Sequence, residues 1–286
     1  MIDSSYNKEM NPAPLKHQIK AEIAVSVKIK AVLDIDEIGQ SFHVSYLLTS
    51  EWKDPGLTYH NLKKNSNLNV LSLEEQDLIW APKLILSNTK ATETITKDKD
   101  TLIKVVANSK FSYTSSDISS TQNIYIFEGE KNKIEMTRAL DTIFICKYDM
   151  ALYPFDTQTC TMDFLLSLVS EDFSFLTVGG LEYTGPTELI QYFMKDKYMI
   201  EMAFDGQKGV KVYFILGRRL LSNILTVYLP TILLNIIGHI TVYFKPYFFE
   251  VRSTNKIIGK LIYFAVNHQR QPDSHVGSHN YVSKLS

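Results

Sequence analysis
A chain of 286 residues, 45% of them hydrophobic, has apolar material for one large domain or two smaller ones, and 16 Tyr with 15 Phe favour sheet. A formal net charge of -1 and a pI near 6.7 leave no electrostatic case for nucleic acid or an anionic membrane surface. No phosphate-binding glycine loop, His-Glu-x-x-His or Gly-x-Ser-x-Gly motif occurs, so the expectation is no enzyme, no catalytic residue and no cofactor.

The first twenty residues carry three lysines and no apolar stretch of signal-peptide length, so no secretory leader is expected there. There is no Asn-x-Ser/Thr sequon to mark an extracellular surface. Strand signals follow. Ile23, Val25, Val27, Ile29, Ala31 and Leu33 alternate with polar residues, and Phe42, Val44, Tyr46 and Leu48 repeat the pattern after a turn at Asp36-Glu37-Ile38-Gly39. Trp52 and Trp80, the only tryptophans, read as core anchors. From Lys90 to Ser120 the chain is polar around a short strand at Leu102–Val106, and three further strands are expected at Ile124–Phe127, Lys133–Met136 and Thr142–Ile145.

Cys146 and Cys160 are the only cysteines; such a pair is compatible with two core thiols or with a bridge. Between them Tyr153-Pro154-Phe155-Asp156 places two rings, a fixed φ and a carboxylate together, and Tyr153-Pro154 is a candidate cis peptide. Asp149, Asp156 and Asp163 read as turn and loop chemistry. Beyond Cys160, Met162 and Phe164 continue an alternating strand, and a hairpin turning at Asp205–Gly209 runs through Val210, Val212, Phe214 and Leu216 into Arg218-Arg219. Leu220 to Phe244 carries no Asp, Glu, Lys or Arg and has the length of a membrane-spanning helix, with Pro230 inside it; a buried core helix is the alternative. From Val251 onward the chain is polar and reads as a solvated, disordered tail. His268, His275 and His279 lack a Cys or acidic cluster, so no metal site is assigned.

The pattern Cys, six residues, Tyr-Pro-Phe-Asp, three residues, Cys resembles the signature loop of the Cys-loop pentameric ligand-gated ion channels, receptors for acetylcholine, GABA, glycine and similar ligands. Trp52-x-Asp54-x-x-Leu57-x-Tyr59 is similar to the family's Trp-x-Asp-x-x-Leu-x-aromatic motif, with Gly56 where many members carry Arg. Trp80-x-Pro82 through Asn88 resembles its Trp-x-Pro-Asp followed by four residues and Asn, with Lys83 in place of the Asp. Tyr-Leu-Pro-Thr at 228–231 looks like the first membrane helix, where Pro230 is a usual feature.

The resemblance implies a mainly β fold: an immunoglobulin-like β-sandwich ligand-binding domain outside the cell, followed by one transmembrane α-helix. It divides the chain into an N-terminal segment 1–14, the sandwich 15–217, the helix 218–246 and a tail 247–286 lacking the pore-lining helix. It implies a Cys146–Cys160 disulfide worth about 3 kcal/mol in the loop-entropy picture. It assigns Tyr153, Pro154, Phe155, Asp156, Arg218 and Arg219 to the coupling loop, and Trp52, Asp54, Trp80, Pro82, Asn88 and Pro230 to structure. The ligand cage of the family is aromatic because ring faces attract ammonium. Its positions fall here on Leu47, Ser87 and Ser167, with Phe204 or Tyr198 from the hairpin turning at Asp205–Gly209, which resembles the family's flap over the agonist, so the expected rings are missing and Ser87 and Ser167 read better as loop serines. The flap lacks the adjacent cysteines of most members that bind acetylcholine directly.

The function implied is that of a truncated channel subunit at the cell membrane, partnered by other subunits in a homo- or hetero-pentamer and by a small neurotransmitter-like ligand, without nucleic acid. The alternatives are a non-conducting ligand-binding or dominant-negative subunit, or an incomplete gene product.

Overall fold
The computed structural model describes residues 6–10, 12, 20–90, 93–97, 100–108, 125–167, 174–204, 207–242 and 260. Two compact units divide between Arg218 and Arg219. The first is mainly β.

Strands β1 (Ala21–Asp36) and β2 (Ser41–Lys53) arise where the alternation predicts them. They pair antiparallel, and the inward set Ile23, Val25, Val27, Ile29, Phe42, Val44, Tyr46 and Leu48 is buried. Short β3 (Thr58–His60), β4 (Leu84–Leu86), β5 (Glu93–Ile95), β6 (Leu102–Val106) and β7 (Ile126–Glu128) precede the long β8 (Lys133–Ile145) and β9 (Thr157–Leu166). Then come β10 (Ser174–Tyr183), β11 (Tyr192–Phe204) and β12 (Gln207–Arg218). One sheet has the order β10-β1-β2-β8-β6, the other β11-β12-β9-β4-β5, and β3 pairs with β7.

Between the two five-stranded sheets, aromatic side chains interlock. Phe42 meets Phe144 at 5.6 Å and Phe214 at 5.7 Å, while Tyr46 meets Phe164 edge-on at 6.2 Å. Each such buried ring removes enough apolar surface to contribute about 1.5–3 kcal/mol.

Three local features differ from expectation or extend it. The strands expected at Lys133–Met136 and Thr142–Ile145 are one strand, because β2 pairs with β8 along its whole length, from Ser41 opposite Ile145 to Lys53 opposite Lys133. A Thr49–Thr137 hydroxyl pair at 3.1 Å bridges the two strands beside the polar centre that interrupts the alternation. A short helix α1 (Leu73–Leu78) opens on a capping box, with Ser72 and Glu75 satisfying each other's backbone N–H groups. The flap strands reach to Phe204 and Gln207, leaving only 205–206 between them.

The second unit begins with α2 (Leu220–Asn223), continues through a π-helical turn Ile224–Tyr228, and ends in α3 (Leu229–Val242). Pro230 has no N–H to give to the carbonyl one turn back, which accounts for the widened turn before it; the Thr231 hydroxyl donates to the Val227 carbonyl at 2.6 Å. Among the described residues, no helix is long and apolar enough to cross a membrane. Residues 243–250, most of the tail and its three histidines lie outside the described residues.

Candidate functional site
The Cys146 and Cys160 sulfurs are bonded, with Cα atoms 5.1 Å apart, and both residues are buried, so the pair is a bridge and part of the core at once. The loop it closes is fastened at its base to the β1–β2 turn: Cys146 N–H donates to Gln40 O at 2.9 Å and the Tyr148 hydroxyl to Ser41 O at 3.0 Å. Within the loop, the Gln158 side chain accepts from Asp149 N–H at 2.8 Å and donates back to Asp149 O at 2.7 Å, while the same amide also donates to Asp156. The Tyr153-Pro154 peptide is cis.

The last residue of β12 lies under this loop. The side chains of Arg218 and Asp156 are each only 2% exposed, and they form a forked pair: Arg218 Nε donates to Asp156 Oδ1 at 2.6 Å and Nη2 to Oδ2 at 2.9 Å. Arg218 Nη1 donates to Glu37 Oε1 at 2.6 Å, and Nη2 also reaches the Tyr192 hydroxyl, which itself donates to Glu37 Oε1 at 2.6 Å. The guanidinium lies 4.7 Å from the ring centres of both Tyr153 and Tyr192. Every face of the cation is therefore used.

The electrostatic consequences follow from burial and pairing. Burial by itself raises the Asp156 pKa, but the hydrogen bonds from Arg218 and Gln158, with the Arg218 charge, outweigh it and hold the carboxyl below its usual range. Burial likewise opposes the Arg218 charge, and Asp156 and Glu37 overcome that. Burial and the bond to Glu37 push the Tyr192 phenol up, so it is a neutral donor at physiological pH.

Around this polar centre several large apolar side chains are exposed. Phe155 is 73% and Leu152 72% exposed at the loop tip, and Ile38 and Ile190, each within two residues of a partner of Arg218, are exposed as well. The carboxylate points in and the hydrocarbon points out, the inverse of an ordinary surface loop.

Of the residues assigned to coupling, the structure brings Tyr153, Asp156 and Arg218 together, buries Pro154 and exposes Phe155. Arg219 stands at the N-cap position of α2 in the other unit. Sequence reasoning missed Glu37, read only as a turn residue, along with Tyr192 and Gln158. The one available signal was an acid in the turn joining two long strands.

The ligand-cage positions are only partly gathered. Ser87 N–H donates to Asp163 O at 3.2 Å and Ser167 N–H to Lys83 O at 3.0 Å, so the two serines flank opposite ends of the β4–β9 ladder. In the same sheet Tyr198 stacks on Tyr213 at 4.8 Å and stays exposed. Phe204 ends β11 opposite Gln207. Leu47 is in the other sheet, on β2 between Lys28 and Ala139. Lysines of this chain occupy nearby ring faces: Lys197 is 5.3 Å from the centre of Tyr183, Lys208 5.5 Å from Phe175, and Lys211 5.9 Å from Tyr213 while pairing with Asp163 at 3.1 Å.

Of the residues assigned to structure, Pro230 lies in the helical unit and the others sit in or against the sandwich core. Trp52 and Trp80 meet edge-on at 5.9 Å, and Pro82 is buried. Asp54 is buried and accepts from the Tyr6 hydroxyl at 2.7 Å and from Gly56 N–H at 3.0 Å. Asn88 ties strands together, donating to Thr161 O at 2.6 Å and accepting from Asp163 N–H at 3.0 Å, while its carbonyl accepts from Ile145 N–H at 2.7 Å. Asn88→Ala strips partners from the β9 backbone and is expected to cost about 1–3 kcal/mol, read as a lowered urea midpoint at unchanged slope.

A family model described as the neurotransmitter-gated ion-channel ligand binding domain matches residues 1–171. The chain is 24% identical over 264 residues to the serotonin-gated chloride channel mod-1 of Caenorhabditis elegans, covering 88% of this chain and 48% of that protein. It is 22% identical over 239 residues to the glycine receptor subunit beta of Rattus norvegicus (80% of this chain, 43% of that one) and 21% identical over 264 residues to the acetylcholine receptor subunit delta of Rattus norvegicus (84% and 46%). The chain thus spans less than half the length of these curated relatives.

Proposed function
The chain belongs to the neurotransmitter-gated ion-channel family, which it matches over the ligand-binding domain, and from that premise we propose that it is a receptor subunit acting at the cell membrane. In this reading the sandwich lies outside the cell, sits in a homo- or hetero-pentamer with related subunits, and binds a small neurotransmitter-like ligand between neighbours. Leu47 on one sheet and Ser87, Ser167 and Tyr198 on the other are then complementary halves of such sites, which explains why a single chain does not gather them. Leu220–Phe244 is the proposed membrane helix. The family is one of channels and not of enzymes.

The observation that carries the reading is the Arg218 centre. It ties the Cys146–Cys160 loop to the end of the flap's second strand, one residue before the helical unit starts. Any movement of the β11–β12 hairpin therefore pulls on the loop tip, whose exposed Phe155 and Leu152 suit it to press on an apolar neighbour. Arg218→Gln, co-expressed in oocytes with a full-length channel subunit, is expected to abolish whatever change the native chain produces in agonist current, at equal surface expression. A native chain that alters neither current nor assembly would contradict the reading.

Lysines of this chain lie over the rings of Tyr183, Phe175 and Tyr213, and two cage positions are serines. A quaternary ammonium ligand is thereby disfavoured, and a carboxylate-bearing one is favoured. Choline is expected to leave the thermal midpoint of the chain unchanged; a clear rise with choline would overturn this preference. The same serines favour a second reading, a non-conducting subunit that joins full-length partners and lowers their current.

A further inference from the structure
The region around Asp54 contains a side chain borrowed from elsewhere in the chain. Gly56 lies two residues beyond this buried carboxylate, and a Cβ at position 56 would come within 3.0 Å of a Tyr6 ring carbon and 3.3 Å of an Asp54 carboxylate oxygen. The volume that a side chain at 56 would enter is filled by the ring of Tyr6. Its hydroxyl is used in both directions, donating to Asp54 Oδ2 at 2.7 Å and accepting from the backbone N–H of Trp80 at 3.0 Å, across 48 and 74 residues of sequence. A second anchor comes from Lys8, whose Nζ donates to Asp77 O at 3.3 Å at the end of α1.

The Trp80 backbone opens the turn that runs through buried Pro82 and Lys83 into β4 and then Ser87. The Lys83 carbonyl receives Ser167 N–H, and Ser87 N–H is held by Asp163. Ser167 is thus bonded directly to this segment, and Ser87 follows it at the far end of β4.

We propose that Tyr6 is a positioning residue for that face: the N-terminal segment docks its phenol into the space left by Gly56, completes the Asp54 carboxylate and clamps the Trp80–Lys83 turn that sets Ser87 and Ser167. The link to ligand binding rests on the reading given under Proposed function; the clamp itself rests on the contacts alone. Because the clamp is a docked segment and not a side chain of the turn, it is releasable, and a side chain installed at 56 competes with it for one volume.

Hydrogen exchange on the full chain tests this, with the Trp80 amide as direct reporter. Tyr6→Phe keeps the ring and removes the hydroxyl. It is expected to speed Trp80 amide exchange on the order of tenfold or more, while amides of the β2–β8 ladder keep native rates. Gly56→Arg, in which Tyr6 itself is untouched, is expected to expose the same amide, since the new side chain takes the ring's place and pairs with Asp54. Tyr6→Ala/Gly56→Arg is expected to recover most of the thermal midpoint lost in Tyr6→Ala while Trp80 stays unprotected. Loss of Ser87 amide protection in Tyr6→Ala supports the positioning role. Native Trp80 exchange in Tyr6→Phe or Gly56→Arg overturns the clamp, and native Ser87 exchange in Tyr6→Ala overturns the positioning role. Failure of glycine, as a carboxylate-bearing probe, to shift the midpoint, with these exchange changes present, leaves the clamp standing and removes the ligand preference it rests on.

Discussion

Arg218→Met is expected to destabilise the sandwich by about 3–5 kcal/mol, the cost of stranding one member of a buried ion pair. Asp156, its side chain 2% exposed, would keep its charge without the fork that now neutralises it, and Glu37 and Tyr192 would lose the same donor. Urea unfolding at neutral pH measures this directly. The effect also has a pH signature. In the native protein the Asp156 pKa is depressed, so its contribution is fully present above the unfolded carboxylate value of about 4 and is lost as pH falls through the lower folded value. In Arg218→Met only the Gln158 amide and the backbone still oppose burial, so the Asp156 pKa rises above its native value and acidification relieves the variant. The gap between the two proteins is expected to narrow as pH is lowered towards 4. A loss under about 1 kcal/mol at neutral pH would mean that the pair is solvated and the centre is not buried in solution.

Replacing both cysteines by alanine is expected to cost about 3 kcal/mol, because the bridge closes a loop of sequence separation 14 and removing it returns that closure entropy to the unfolded chain. For a domain of this size the thermal midpoint should fall by roughly 6–12 °C. Both side chains are buried, so a small packing loss adds to the entropic one. The Tyr148 and Gln40 contacts at the loop base persist without the bridge, so the loop is expected to loosen at its tip first. A larger rise in amide exchange at Phe155, whose N–H donates to Leu152 O, than at position 146, whose N–H donates to Gln40 O, is the pattern that checks this. An unchanged midpoint would show that the Arg218 centre alone holds the loop.

What the sequence discloses and what it hides divide along contact distance. The inward faces of β1 and β2 are legible because period-two alternation is a local property, and the Cys146–Cys160 loop is legible because its chemistry lies within one short segment. Glu37 was not, since its role exists only through Arg218, 181 residues away, and in the sequence it is one more acid in a turn. Tyr6 was hidden for the same reason: nothing near it announces that Gly56 leaves a space of its size. The single strand β8 looked like two because the interruption at Arg138–Asp141 breaks the alternation that its pairing with β2 restores. The capping box at Ser72–Glu75 was within reach of sequence reasoning, being a local signal. Arg218-Arg219 reads as a pair of equal cations, and only the fold separates them, burying the first in the sandwich and placing the second at the head of a helix.

The central claim is that one buried arginine at the end of β12 fixes the disulfide-closed loop to the strand that leads into the helical unit. A double-mutant cycle between Arg218→Met and Asp156→Asn, read by urea unfolding at neutral pH, measures that link with least interference from the rest of the core. The account predicts a coupling energy of about 2 kcal/mol or more, with the double variant far more stable than the sum of the single losses allows. Additivity within about 0.5 kcal/mol would contradict it.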